Sequence, residues 1–179
     1  MSDINDDRCE NAIECSIPTS EEFEQVAKVL CERALSDAKS QLHPLLQNFE
    51  LDRLDQRPAF IRAFKYALEH EISRKLAAWH PDIQTIFSYE EVPFESIEDW
   101  HGSIILLVKV PCLTKEMKEL GKKLDCSLVN CLKQLNWPRF KESVSVLEVQ
   151  QVTPRELSYY IGYGALFCAV YTVPIKVWP

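Results

Sequence analysis

The residues with the widest chemical reach sit in Asp99-Trp100-His101-Gly102, directly after an acidic run holding Glu90, Glu91, Glu95 and Glu98. A carboxylate at Asp99 can orient the His101 imidazole for acid–base work, and the glutamates can offer hard oxygen ligands to a divalent cation. The stretch leads into a strand, a place where binding residues collect. Its spacing fits no calcium loop, however, and a solvated acidic turn ending in histidine accounts for the same residues. His70, in Glu69-His70-Glu71, projects away from Leu68 and Ile72 on a helical wheel. It lacks the second histidine of a zinc-binding helix, and Glu71 is placed to pair with Lys75 four residues on.

Seven cysteines form no C-x-x-C pair. The odd number and wide spread fit neither a disulfide framework nor a structural zinc site, so reduced and mostly buried thiols are expected. Cys131 falls on an apolar helical stripe and Cys126 lies five residues before it, which points to core packing. Cys9 and Cys15 lie among acids that raise a thiol pKa and blunt its nucleophilicity, which disfavours a redox switch there.

Gly162-Tyr163-Gly164-Ala165 has two glycines of a phosphate loop, but a helix rather than a strand precedes it, so a turn is expected. Around it Tyr159, Tyr160, Tyr163, Phe167, Tyr171 and Trp178 can form a partner-binding surface, because tyrosine and tryptophan tolerate being half wet. Core filling accounts for some of them equally well. Lys115, Lys118, Lys122 and Lys123 share the polar side of one predicted helix. Glu116 and Glu119 interrupt them and no aromatics interleave, which disfavours nucleic acid as a partner.

Hydrophobic periodicity supplies the elements that must position these groups. Thr19 and Glu22 form a T-x-x-E capping box ahead of Phe23, Ala27, Leu30, Ala34, Ala38 and Leu42 at helical spacing, a helix that ends near His43-Pro44. Pro58 opens a second helix with the stripe Ile61, Phe64, Leu68, Ile72, Leu76 and Trp79, expected to pair antiparallel with the first. The period then changes to two over Ile83, Thr85, Phe87 and Tyr89, and Ser103 to Val110 reads as a central strand buried on both faces. Thr114 caps a third helix carrying Met117, Leu120, Leu124, Leu128, Cys131 and Leu135. Val144 to Val152 is a third strand, joined to the second by a connection long enough for a parallel crossover. Thr153-Pro154-Arg155-Glu156 repeats the capping box for a short helix closed by Gly162.

The last strand, Val170 to Trp178, is expected to turn Tyr171, Val173, Ile175 and Val177 one way and Thr172, Pro174 and Lys176 the other. Pro174 places it at a sheet edge. The run Leu157 to Ile175 carries no charge over nineteen residues, but its tyrosines, glycines and proline argue against a membrane span.

The chain has 179 residues and a formal charge of −7, concentrated in two places. Residues 1–24 hold eight acids against Arg8, and residues 82–99 hold six acids and no base. Residues 1–18 are aperiodic and acidic, so they are expected to form a solvated leader to a single domain over residues 19–179. The domain is expected to be α+β: two helices, then a mixed or antiparallel sheet of about four strands carrying a long third helix and a short fourth.

No motif carries a resemblance to a known family. The expected function is that of an accessory or regulatory protein acting through protein–protein contacts, including with a second copy of itself. Tyr163, Tyr171, Lys176 and Trp178 are its candidate interaction surface. The alternatives are a small-molecule or metal-dependent enzyme or binder at Glu90–His101, with Asp99 and His101 as catalytic candidates, and an acidic mimic of nucleic acid. The start of the chain has no basic and apolar signal, which gives a cytoplasmic expectation, with no cofactor and no membrane.

Overall fold

A computed structural model describes residues 18–42, 44–47, 58–89, 103–135, 145–169 and 172–179. The chain folds as α1 (Ser20–Ser40), α2 (Pro44–Gln47), α3 (Pro58–Trp79), β1 (Thr85–Tyr89), β2 (Ile104–Lys109), α4 (Lys115–Gln134), β3 (Leu147–Val152), α5 (Pro154–Tyr159), a 3-10 helix (Gly162–Cys168) and β4 (Ile175–Trp178). The four strands form one mixed sheet in the order β3-β2-β1-β4, so the protein is α+β.

The capping box starts α1 as its residues require. The Thr19 hydroxyl accepts from the Glu22 N–H at 3.3 Å, and the Glu22 carboxylate accepts from the Thr19 N–H at 2.7 Å. Those bonds to the charged form, first from the Thr19 backbone and then from its hydroxyl, hold the Glu22 carboxyl below its usual value. The rings of Phe23 and Trp79 meet edge to face at 5.2 Å, placing the first turn of α1 against the last of α3, so the two helices run antiparallel.

β1 and β2 pair antiparallel, and β2 pairs with β3 in parallel, the arrangement allowed by a crossover through α4. Ile104, Leu106 and Val108 join the core made with the helices, while Leu107 is buried on the opposite face. Phe167 of the 3-10 helix covers part of that second face, its ring meeting Phe87 edge to face at 4.8 Å.

Four expectations are corrected. Glu71 is buried and pairs with Arg74 at 3.0 Å and Arg33 at 3.4 Å, while Lys75 sits 4.9 Å from the Trp79 ring centre. Burial of Glu71 against α1 brings the guanidinium of Arg33 within reach, which periodicity within one helix could not reveal.

Late in α4 the buried position is Leu132, leaving Cys131 half-buried and Cys126 exposed. Leu128 and Leu132, four apart, carry the fully buried stripe, while Cys131 packs at its margin beside Cys31 of α1.

The expectation that all cysteines are reduced and mostly buried also fails. Cys112 is disulfide-bonded and Cys168 is exposed.

Finally, β4 is shorter than its alternating pattern. A register shift opposite Ile86 and Phe87 breaks the alternation, so Pro174 is buried while Ile175 stays 70% exposed.

Candidate functional site

The open outer edge of β3 carries the candidate site. In the β2–β3 ladder the Val146 carbonyl accepts from Ile104 N–H at 2.8 Å and the Val152 carbonyl from Val110 N–H at 3.0 Å. Successive residues of a strand point their polar groups to opposite sides, so Leu147, Val149 and Gln151 direct N–H and C=O away from β2. Leu147 is satisfied, its N–H by Asp125 and its carbonyl by the Ser145 hydroxyl. The outward groups of Val149 and Gln151 pair with no strand among the described residues.

Helix α4 forms one wall, and three contacts fix its height above β3. Thr114, the N-cap, is held by Gln151, whose side-chain oxygen accepts from Thr114 N–H at 2.8 Å and whose side-chain nitrogen donates to Thr114 C=O at 2.7 Å. Gly121 lets the helix backbone settle on Val149, since a Cβ there would lie 2.9 Å from the valine Cβ. Asp125 accepts the N–H groups of both Val146 and Leu147 through one oxygen, at 2.8 and 2.9 Å, tying α4 to the start of β3. With those positions committed inward, Lys115, Lys118 and Lys122 line the open side of a groove of about 650 Å³. Spacings of three and four place them on one face of the helix, about 10 Å from first to last.

The far wall is α5 and the turn that follows it. Glu156 closes the second capping box, accepting from Thr153 N–H at 2.8 Å and Thr153 hydroxyl at 3.0 Å. Tyr160 then takes a left-handed conformation (φ 53, ψ 43), and Gly162 a second one (φ 52). The Glu156 carbonyl accepts from both Tyr160 and Ile161 N–H, closing the helix. Gly164 packs so close to that carbonyl that no side chain fits. The result is a rigid turn that displays Tyr159, Tyr160 and Ile161 at 71, 57 and 49% exposure, with Tyr163 bordering the groove.

The acids of the lining sit away from the lysine row: Asp125 and Glu156 each accept through one oxygen as above, and Ser103 donates to Glu148 at 3.4 Å. Lys115, Lys118 and Lys122 make no ion pair among the described residues. The groove therefore offers free cations and open backbone groups to an extended, negatively charged chain.

Of the candidates read from sequence, Glu90, Glu91, Glu95, Glu98, Asp99 and His101 lie outside the described residues, as does Tyr171. Tyr163 lines the groove at β3, whereas Lys176 and Trp178 sit on β4 at the opposite edge of the sheet, so these residues do not share one surface. His70 is half-buried against Tyr66, the ring centres 4.5 Å apart.

A different pair of groups does come together: the Cys31 thiol of α1 and the Cys131 thiol of α4 are hydrogen-bonded. The bond to Cys131, with burial behind it, pushes Cys31 up and keeps it protonated, while accepting from Cys31 lowers Cys131. Sequence spacing could not show this contact between residues a hundred positions apart.

Among the described residues no His, Cys, Asp and Glu cluster is arranged to hold a metal, and no helix is long and apolar enough to cross a membrane. No family model, curated protein or solved structure matches the chain.

Proposed function

We propose that this protein is an accessory or regulatory module that acts through protein–protein contact, binding another protein or a second copy of itself. The observation that carries the reading is the display of Tyr159, Tyr160 and Ile161 on a left-handed turn between Glu156 and Tyr163, two residues that line the β3 groove. A non-glycine residue in that conformation costs about 1–2 kcal/mol, and strain of this kind collects where a surface has work to do. Tyrosine supplies a large rigid contact area at low entropic cost, and contiguous exposed apolar side chains mark interaction surfaces.

The sequence pointed first to the β4 edge. That edge is four residues long and bears Lys176, two features by which sheets guard against pairing. The geometry favours the turn and the β3 edge instead.

A photo-crosslinking residue placed at Tyr159 in the full chain should trap one predominant protein or a second copy, and the Ile161→Ser change should abolish the product. The same probe at Lys176 should trap neither. Equal trapping at both positions, or none at Tyr159, would overturn the proposal.

A further inference from the structure

We infer that the lysine-lined groove beside β3 is a docking site for an extended acidic segment, and that its occupant in the free protein is the chain's own residues 1–17. The inference rests on the groove rather than on the tyrosine turn, and adds to the proposed function the element that competes with a partner for the adjoining edge.

Three observations converge on this occupant. The first is charge. Residues 1–17 carry Asp3, Asp6, Asp7, Glu10 and Glu14 against Arg8, and along the α4 wall of the groove Lys115, Lys118 and Lys122 make no ion pair among the described residues. Such opposition steers and orients a bound segment.

The second is the open edge. Val149 and Gln151 aim backbone N–H and C=O groups outward, and an extended chain satisfies such groups as an added strand.

The third is position. Phe23 against Trp79, and Gln84 N–H donating to Lys109 C=O, place the start of α1 at the end of the sheet where β2 leads through Cys112 to Thr114 and the groove. Seventeen extended residues span up to roughly 55 Å, ample for that route. Cys112, on that route, is disulfide-bonded, while Cys31, Cys126, Cys131 and Cys168 are free; its expected partner is Cys9 or Cys15. Either bond would anchor the acidic segment directly before the groove, whose lining begins at Leu113.

The test uses the full chain. Digestion without reduction should yield Cys112 joined to Cys9 or Cys15. Carbodiimide coupling, which joins a carboxylate to an amine with loss of water, should link acids of residues 1–17 to Lys115, Lys118 or Lys122. In an equal mixture of 15N-labelled and unlabelled protein, those links should form within one chain. In the Asp6→Asn, Asp7→Asn, Glu10→Gln, Glu14→Gln variant, amide exchange at Val149 and Gln151 should accelerate about tenfold or more. The Leu147 amide, held by Asp125, and those of β2 should stay as slow as in the parent, which also shows that the variant is folded.

A free Cys112, links that join two chains, links that avoid α4, or unchanged exchange at Val149 and Gln151 would each overturn the inference. Trapping at Tyr159 would survive any of these results, so failure here is distinguishable from failure of the interaction surface.

Discussion

Tyr160 concentrates two opposed demands in one residue. Its backbone sits where glycine is at ease, yet its side chain is 57% exposed and contributes little to the core. Tyr160→Gly should therefore relieve more strain than it adds in unfolded-chain entropy, a net stabilisation of about 0.5–1 kcal/mol. In a thermal melt that is a rise of roughly 2–3 °C. The same change removes one of the three displayed side chains, so crosslinking through Tyr159 should weaken as the melting temperature rises; a residue of purely structural importance would lose both together. At the second singular pair, the Cys31 thiol donates to Cys131 and favours its thiolate. Cys31→Ala should move the pH inflection of Cys131 alkylation upward and slow the reaction at neutral pH, measured by site-resolved mass spectrometry with exposed Cys126 and Cys168 as references.

At the scale of elements, Asp125 does the work of a clasp. One carboxylate oxygen satisfies two adjacent N–H groups, so Asp125→Ala should cost about 2–3 kcal/mol in urea unfolding, and Asp125→Asn less. Exchange at Val146 and Leu147 should rise before that of β2. The capping box of α1 gives a pH signature. Because the folded Glu22 carboxyl titrates below its usual value, its contribution is complete above the ordinary carboxylate range and fades as pH falls through the folded value. In Thr19→Ala the Glu22 titration followed by NMR should return upward.

Such caps were legible in the sequence because their partners lie three residues apart, and the stripes of α1 and α3 were legible because one face of each meets the core. Elements governed by distant neighbours were not. The buried stripe of α4 passes through Leu132 because α1 lies on that side, and β4 loses its alternation to a register shift against β1. The lysines of α4 and the tyrosines of α5 could each be named from sequence. The placement of those lysines and of Tyr163 on two walls of one groove depends on β3 being the outer strand, which no local pattern encodes.

For the whole molecule, the sheet ends in two edges of unlike character. β3 is six residues long, flanked by free lysines and an aromatic rim, whereas β4 is four residues long with Ile175 and Lys176 both exposed. If association used any bare apolar edge, β4 would take part, because Val173 and Ile175 are among the most exposed large side chains of the described residues. If it follows the built surface, charge at β4 should not matter. Ile175→Lys introduces a second lysine on that edge, a change that blocks strand pairing while removing almost no buried area. Its molar mass by light scattering and its crosslinking through Tyr159 should match those of the parent protein. Tyr159→Ser with Ile161→Ser should lose crosslinking from a probe at Tyr163 without a change in melting temperature beyond about 2 °C, since both side chains stand largely in solvent. A mass change in Ile175→Lys would assign self-association to β4 and separate it from the tyrosine turn.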